Sequence, residues 1–358
     1  MKLNSQVQIF KHISFLDKAL FTKHLAVMTK SGIPLAESVD SLEEQAKNPT
    51  FKKILAKVSA DIQNGQSLYK SMARHPRVFD TTYLSLVQIG EESGQLEKNL
   101  EYLAANLKKS YEFRKKVVSA SLYPMIVLVM AVVVGFGISY FVLPKLIDLF
   151  ESLDVELPLT TKILLFIANT MKDYGIFIMA GVLLSIILFR IFVNLPMVKI
   201  HWHRFLLGLP TIGSFMQSVQ MTSMCRNIGV MLQSGLDIST TLETQKAATD
   251  NLVYKEYLAS LQRGIEKGKS LKEQLESSKF HFVPSIATKM IAVGEKTGTL
   301  ESAFSYLGDF FEDEVDNASK NLSSTLEPIL LIGISLIVGF VALAVITPIY
   351  DFTSSIHK

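Results

Sequence analysis

One short stretch of this 358-residue chain has the residue types of a nucleotide site. Gly264-Ile-Glu-Lys-Gly268-Lys-Ser270 offers the glycines, lysine and hydroxyl that a phosphate-binding loop uses to hold phosphate oxygens. The stretch is one residue shorter than that motif, and no predicted strand precedes it. A related stretch nearer the N-terminus has Gln66 in place of the lysine. We therefore interpret the segment as a helix-turn-helix junction in which Ser270 is the N-cap.

Two other groups contain residues that bind metal ions. His201 and His203 flank a tryptophan, but residues two apart on a helix do not share a face, so we predict no metal there. We interpret an acidic run as a solvated helix face and not as a divalent-cation site. This run consists of Glu312, Asp313, Glu314 and Asp316. Because zinc spacings, dinucleotide fingerprints and nucleophile motifs are missing, we expect no metal, no cofactor and no enzymatic activity.

A Gly-Glu turn that occurs twice is the more informative candidate. Gly90-Glu91-Glu-Ser-Gly94-Gln-Leu96 returns as Gly294-Glu295-Lys-Thr-Gly298-Thr-Leu300. The second glycine of each copy predicts a left-handed helix end, and the leucine predicts packing of the next helix on the core. Two interpretations of Glu91 and Glu295 stay open. Each caps a helix or holds an arginine or lysine inside a bundle, or each offers a charged contact to a partner.

These turns belong to a longer repeat in which segments return about 203 residues later. Met28-Thr-Lys-Ser-Gly32 returns as Met231-Leu-Gln-Ser-Gly235, and Asn64-Gly-Gln-Ser-Leu68 returns as Lys267-Gly-Lys-Ser-Leu271. Apolar residues recur at helical spacing, and alternating strand patterns are missing. We therefore predict an all-α membrane protein with two homologous cytoplasmic helical bundles in tandem and three transmembrane helices. Each bundle is expected to contain five or six short helices.

Three apolar stretches have the length of a membrane span: Met125 to Leu143, Ile176 to Val193 and Ile329 to Ile346. Lysines and arginines precede the first and follow the second, whereas the loop between them is mostly acidic, which predicts a cytoplasmic N-terminus. Small residues in the first and third spans predict close helix packing, between these spans, on a second protomer or on a helix of a partner protein. These residues are Ala131, Gly135 and Ser139, then Ser335 and Gly339.

The predicted boundaries follow from the spans and the repeat. Cytoplasmic helical domains occupy 1–122 and 194–328, transmembrane helices occupy 123–144, 176–193 and 329–347, and outer segments occupy 145–175 and 348–358. Residues 1–122 carry 18 Lys and Arg against 12 Asp and Glu, whereas residues 194–328 carry 13 against 15, so the two domains need not contact the same partner surface. The single cysteine excludes an internal disulfide, and the first twelve residues lack the apolar core of a cleaved signal peptide.

The sequence resembles a known family at its membrane-entry motifs. Lys116-Val-x-x-Ala-x-x-Tyr123-Pro124 precedes a span that ends at Pro144, and Glu327-Pro328 precedes a span that ends at Pro348. Together with the Gly-Glu turns, these motifs resemble the inner-membrane platform proteins of type IV pili, type II secretion and related competence systems. The resemblance extends from about Phe15 to Ser355. Ser121 departs from the aliphatic residue usual in the family, and the N-terminal extension of many members is missing before Leu16.

This resemblance implies a non-enzymatic role. Proteins of the family contact a hexameric cytoplasmic assembly or retraction ATPase and other inner-membrane assembly proteins, and they are thought to pass motor work to prepilin or pseudopilin helices in the lipid bilayer. We therefore expect these partners and a homo-oligomer, and no nucleic acid. A membrane transporter and a membrane-tethered sensor are the alternatives. A transporter is disfavoured because the first and third spans contain no charge.

Overall fold

The computed structural model describes residues 13–137, 159–277 and 279–356, which form helices joined by turns and include no strand. This confirms the all-helical prediction for the part of the chain that is described. The chain divides into two compact units. The first comprises the residues up to Val117 together with His203–Asp316, so most of each repeat lies in it. The second comprises Val118–Trp202 and the residues from Asn317.

Six helices span the first repeat and the apolar stretch that follows it. They are α1 (Phe15–Lys30), α2 (Leu35–Gln45), α3 (Pro49–Gln63), α4 (Leu68–Ala73), α5 (Thr81–Glu92) and α6 (Leu96–Gly137). A long helix, α7 (Leu159–Val193), then precedes the second repeat. The second repeat contains α8 (Pro196–Gly208), α9 (Ile212–Gln233), α10 (Ile238–Ala248), α11 (Leu252–Ile265), α12 (Leu271–Leu275), α13 (Ser285–Thr297) and α14 (Leu300–Ile356).

Helix starts in both repeats are set by matching cap residues. The Asn48 side chain accepts hydrogen bonds from the first turn of α3, and Asn251 does the same for α11. Ser67 and Ser270 cap α4 and α12 in the same way. Because each cap satisfies amides that have no partner inside the helix, the cap positions determine where these helices begin.

Each repeat has its own apolar core, built from equivalent positions. Leu55 and Leu68 are fully buried in the first repeat, and Leu258 and Leu271 are buried in the second. The repeats also pack on each other inside the first unit, where α5 contacts α9 and α10. At this contact the hydroxyls of Ser85 and Thr244 lie 3.3 Å apart. The tandem repeats therefore form one packed body.

The last helix of each repeat differs from the predicted short helices. Helix α6 has 42 residues and α14 has 57, because each continues without a break into the apolar stretch that follows it. Pro124 and Pro328 lie within these helices and do not end them. Neighbouring groups in apolar surroundings can satisfy the carbonyl that a proline leaves free, so such prolines are tolerated.

One helix in the described residues, Asp173–Val193, is long and apolar enough to cross a membrane. Leu331–Ala344 and Thr161–Met171 are apolar but shorter. Within the second unit, the Thr161 hydroxyl donates to the carbonyl oxygen of Ala344 at 2.8 Å. The set of three membrane spans stays a prediction, since the first predicted span extends into residues 138–158, outside the described residues. Ser139 and Pro144 lie there too.

Three of the predicted packing residues, Gly135, Ser335 and Gly339, can be checked in the described part of the chain. A Cβ atom added to Gly135 or to Gly339 would meet nothing within 4 Å, and Ser335 is exposed. Close packing at this row therefore stays a prediction, between the two spans or on a partner.

Candidate functional site

The two Gly-Glu turns hold the start of a short helix in each repeat. The Glu91 carboxylate accepts hydrogen bonds from the amides of Leu68 at 2.6 Å and Tyr69 at 2.8 Å, which open α4. In the second repeat, Glu295 accepts from the amides of Leu271 at 2.6 Å and Lys272 at 3.0 Å, which open α12. Each glutamate therefore forms a bidentate cap on a helix that begins more than twenty residues earlier.

Each capped helix has a second cap from its own chain segment. The Ser67 hydroxyl accepts from the amide of Lys70 at 3.2 Å, and the Ser270 hydroxyl accepts from the amide of Glu273 at 3.1 Å. Serine and glutamate together satisfy three of the four amides that a helix start leaves free. A carboxylate at this position also interacts favourably with the positive end of the helix dipole.

The two glycines of each turn are needed for different structural reasons. Gly94 and Gly298 have φ values of +68° and +72°, where side chains are disfavoured, so they end α5 and α13. Gly90 and Gly294 are buried against the next helix. A Cβ on Gly90 would lie 3.0 Å from the Cα of Leu96, so a side chain there would push α6 away from α5. The equivalent Cβ on Gly294 would lie 3.3 Å from the Cα of Leu300.

A second cluster of polar residues joins the two repeats; we call it the seam. It contains Lys109 and Lys116 on α6, Arg226 on α9, and Asp309, Glu312 and Asp316 on α14. Lys109 Nζ lies 2.8 Å from Asp309 Oδ1, and Lys116 Nζ lies 2.8 Å from Glu312 Oε1 and 3.2 Å from Asp316 Oδ2. Three ion pairs therefore cross from the first repeat to the second.

Arg226 is the buried member of the seam, with 5% of its side chain exposed. Its guanidinium pairs with Glu312, lies 3.9 Å from Asp309, and is stacked over the ring of Phe113 at 5.6 Å. Close approach of the helices helps to bury it, since a Cβ on Gly308 would lie 3.2 Å from the Arg226 amide nitrogen. A buried arginine stays charged, so Glu312 supplies the charge that this burial requires.

The seam keeps Glu312 ionised although only 17% of its side chain is exposed. Burial acts to raise the pKa of this carboxyl, but hydrogen bonds from Lys116 and Arg226 outweigh that effect and hold the pKa below its usual value. The hydrogen bond to Glu312 is also the main reason why the pKa of Lys116 is raised. The partners therefore stabilise each other's charged form.

The acidic run was partly misinterpreted from sequence. Asp313 and Glu314 are exposed as expected, but Glu312 and Asp316 are ion-paired across the seam. The reason is that α14 turns Glu312 toward Arg226, which periodicity alone does not show. Sequence reasoning missed Arg226 as well, although an arginine within the apolar run of α9 is a signal for a buried pair.

The other candidates show local structural roles. His203 Nδ1 accepts from the Leu252 amide at 3.1 Å, and His201 Nδ1 contacts the Met197 carbonyl at 3.1 Å, so the two imidazoles have separate partners. Lys269, in the segment that resembles a phosphate loop, is exposed. Among the described residues, no group of three His, Cys, Asp or Glu side chains could hold a metal ion.

The membrane-entry residues stay predictions, apart from Lys116. That lysine lies in the seam and was predicted only as the start of a span. Tyr123, Pro124, Glu327, Pro328 and Pro348 lie within α6 and α14.

Fold and sites together define the class: a duplicated all-helical protein whose repeats pack as one body, with at least one helix suited to a bilayer. The family described as type II secretion system (T2SS), protein F, matches residues 21–144 and again residues 224–348. The chain therefore belongs to the type II secretion system protein F family and contains two copies of its domain. The matched segments begin 203 residues apart, which is the spacing of the repeat.

Curated relatives extend this assignment over nearly the whole chain. The type IV pilus assembly protein PilC of Thermus thermophilus is 30% identical over 344 residues, which cover 95% of this chain and 83% of that protein. The type II secretion system protein F of Vibrio cholerae is 28% identical over 99% of this chain and 87% of its own length. The PilC protein of Pseudomonas aeruginosa is 27% identical over 95% of this chain and 91% of its own. The predicted family resemblance is confirmed.

Proposed function

We propose that this protein is a non-enzymatic platform in the bacterial inner membrane. It couples a cytoplasmic assembly ATPase to the polymerisation of pilin or pseudopilin subunits in a type IV pilus, type II secretion or related competence system. The family assignment supports this function, because its relatives are named for type IV pilus assembly and type II secretion. A cytoplasmic N-terminus, three spans and a homo-oligomer belong to the same proposal.

The observation that best supports a coupling role is the seam. Its ion pairs join α6 of the first repeat to α14 of the second, and each helix continues unbroken into an apolar stretch. A helix transmits displacement along its axis because its backbone hydrogen bonds are satisfied internally. A motor that moves one repeat therefore also exerts force on the other repeat through the seam.

Gene deletion with complementation tests the platform role. Loss of this protein should abolish filament assembly or secretion while the ATPase and the pilin subunits stay at normal levels. Reintroduction of the intact chain should restore assembly, and the ATPase should co-purify with it. Assembly that continues at normal levels without this protein would show that the proposal is wrong.

Cysteine labelling in intact cells tests the topology. A cysteine at position 154 should react with a membrane-impermeant thiol reagent, whereas one at Lys108 should react only after permeabilisation. Cys225 is fully buried, and burial raises its pKa, so it contributes little background. Replacing it by alanine suits this apolar site better than a serine hydroxyl would. The opposite labelling pattern would exclude a cytoplasmic position for the repeats.

Nucleotide binding tests the non-enzymatic part of the proposal. The purified protein should not bind ATP, and Lys269→Ala should leave assembly unchanged because this lysine is an exposed residue beside a helix start. Micromolar ATP binding that Lys269→Ala removes would contradict the proposal.

A further inference from the structure

A large open cleft lies in the first repeat and has a strongly basic lining. Its volume is about 1130 Å³, and the start of α1, helix α3, the turn after α4, and α6 contribute to it. Six basic side chains line this space, and no carboxylate side chain of the described residues does. These cations are Lys18, Lys53, Lys57, Arg74, Arg77 and Arg114.

Two of the six cations are already neutralised by neighbouring carboxylates. Lys18 Nζ lies 2.8 Å from Asp80 Oδ2, and Arg74 Nη1 lies 2.8 Å from Asp61 Oδ1. The other four are exposed, and none makes an ion pair with a described carboxylate. The cleft therefore holds an excess of positive charge that an anionic ligand would neutralise.

The imidazole of His75 also lines the cleft. Burial, and then the positive charge of Lys57, lower its pKa below the usual value. The residues before Ile13 include two lysines and no acidic residue, so they carry no charge that would neutralise the cleft.

The apolar part of the lining distinguishes a peptide from a phosphate ligand. Phe15, Ile54 and Val78 line the same cleft as the basic side chains. Phosphate sites usually depend on backbone amides in glycine-rich turns, but this lining contains no glycine and includes Pro49 and Pro76, which have no amide hydrogen. The volume also exceeds the range of about 300–1,000 Å³ that is typical of small-molecule sites.

The second repeat lacks this charge at equivalent positions. At the repeat offset of 203 residues, Glu256 replaces Lys53 and Ser260 replaces Lys57. Glu256 also lies 3.9 Å from Arg204, so an acidic group faces a basic one there. The basic character is therefore specific to the first repeat and does not follow from the shared fold.

We propose that this cleft binds an acidic, amphipathic peptide segment of a partner protein, with its carboxylates on Lys53, Lys57, Arg77 and Arg114 and its apolar side chains on Phe15 and Val78. Charge complementarity sets the encounter and orientation, and apolar contact adds affinity. The inference goes beyond the platform role and holds whether or not that role does.

The test uses the full-length protein in detergent and fluorescence anisotropy. The probe is a labelled synthetic peptide in which pairs of glutamates alternate with leucines, and its control has lysine in place of every glutamate. The acidic peptide should bind, more weakly as ionic strength rises, and the basic peptide should not. Lys53→Gln, Lys57→Gln and Arg77→Gln together should weaken binding by about tenfold, since each lost rim charge contributes a few-fold.

A matched control removes three exposed lysines from the second repeat. Lys267→Gln, Lys269→Gln and Lys289→Gln lower the net charge by the same amount, and peptide affinity should change less than about twofold if the cleft is the site. Equal losses in the two triple variants would overturn the proposal, because they would show that only overall charge matters. Absence of acidic-peptide binding to the unchanged protein would overturn it as well.

A second variant tests the cleft without removing its cations. Ala56 is exposed and lines the space, so Ala56→Glu places a carboxylate beside Lys53 and Lys57 with little effect on folding. It should weaken acidic-peptide binding several-fold while the thermal unfolding temperature is unchanged. Inorganic triphosphate and anionic lipid vesicles complete the test. Tighter binding of either to the cleft than of the peptide would replace the peptide assignment.

Discussion

The two repeats have the same helix caps but differ in where their charged side chains lie. Ser67 and Glu91 cap α4 in the first repeat, and Ser270 and Glu295 cap α12 in the second with nearly the same distances. A helix start leaves the same amides without an intrahelical partner in both copies, even where their surface residues differ. The caps are therefore part of the framework, because the backbone itself requires them.

The buried charged side chains, in contrast, lie at different positions in the two repeats. The first repeat buries Lys18 against Asp80, while the second has Met221 at the position equivalent to Lys18. The second repeat buries Arg226 against Glu312, and the equivalent Lys23 of the first repeat is exposed. Among the described residues, each copy thus buries one cation, at a different place and with its own partner. The comparison teaches that the duplicated fold tolerates a change of partner as long as every buried charge has one.

The largest effect is expected from breaking the seam. Glu312→Gln leaves Arg226 buried without its main carboxylate and should destabilise the protein by about 3 kcal/mol. The equivalent residue of the first repeat, Lys108, is exposed, so Lys108→Gln should change stability by less than about 0.5 kcal/mol. Thermal unfolding of the detergent-solubilised protein, followed by circular dichroism, measures both.

A double variant sharpens this result. Arg226→Met combined with Glu312→Leu removes both charges and keeps side-chain volume, so it should cost less than Glu312→Gln alone. A double variant as unstable as the single one would show that packing at this position, and not the unpaired charge, determines stability.

A smaller and equal loss is expected at the glycines that end α5 and α13. Gly94→Val and Gly298→Val put a β-branched residue at positive φ and should each cost on the order of 1–3 kcal/mol. The matched control is Gly208→Val, since Gly208 has no positive φ and no atom within 4 Å of an added Cβ. Membrane abundance and unfolding temperature check the prediction, and a clear difference between the two repeats would contradict the shared framework.

The caps themselves should contribute about 1 kcal/mol each. Glutamine has one acceptor oxygen where glutamate has two, so Glu91→Gln and Glu295→Gln each lose one amide partner and the charge. Glu92→Gln is the control, since that side chain is exposed and accepts only from Gln88. If the caps act only in folding, abundance and filament assembly should fall together. Normal abundance with failed assembly would instead identify a partner contact at these glutamates.

The smallest expected effect is a pH dependence of stability that arises from Glu312, in the second repeat. The folded protein lowers the pKa of Glu312 below 4.5, so the unfolded state binds more protons at acidic pH. The resulting stabilisation is present above pH 4.5 and is lost as pH falls through the lowered pKa. The difference in unfolding temperature between the unchanged protein and Glu312→Gln should therefore become smaller as pH falls below 4.5. A constant difference would exclude Glu312 as the titrating group.

Part of this structure could be predicted from local sequence. The repeat register, the all-helical fold and the glycines that end α5 and α13 follow from patterns within a few residues, because backbone conformation and capping are local requirements. The capping of α4 by Glu91 could not be predicted from sequence, since the residues that donate to it are 22 and 23 positions away. Both a cap and a partner contact suited the same glutamate.

The sequence by itself determined that two copies of one helical module exist, that Gly94 and Gly298 end helices, and which family the chain resembles. Only the tertiary structure decided that Glu312 faces Arg226, that Lys116 joins the two repeats, and that four cations without an ion pair among the described residues share one cleft. Helical periodicity indicates which residues lie on a common face. It does not indicate which other helix that face meets, because this depends on packing between segments about 100 to 200 residues apart.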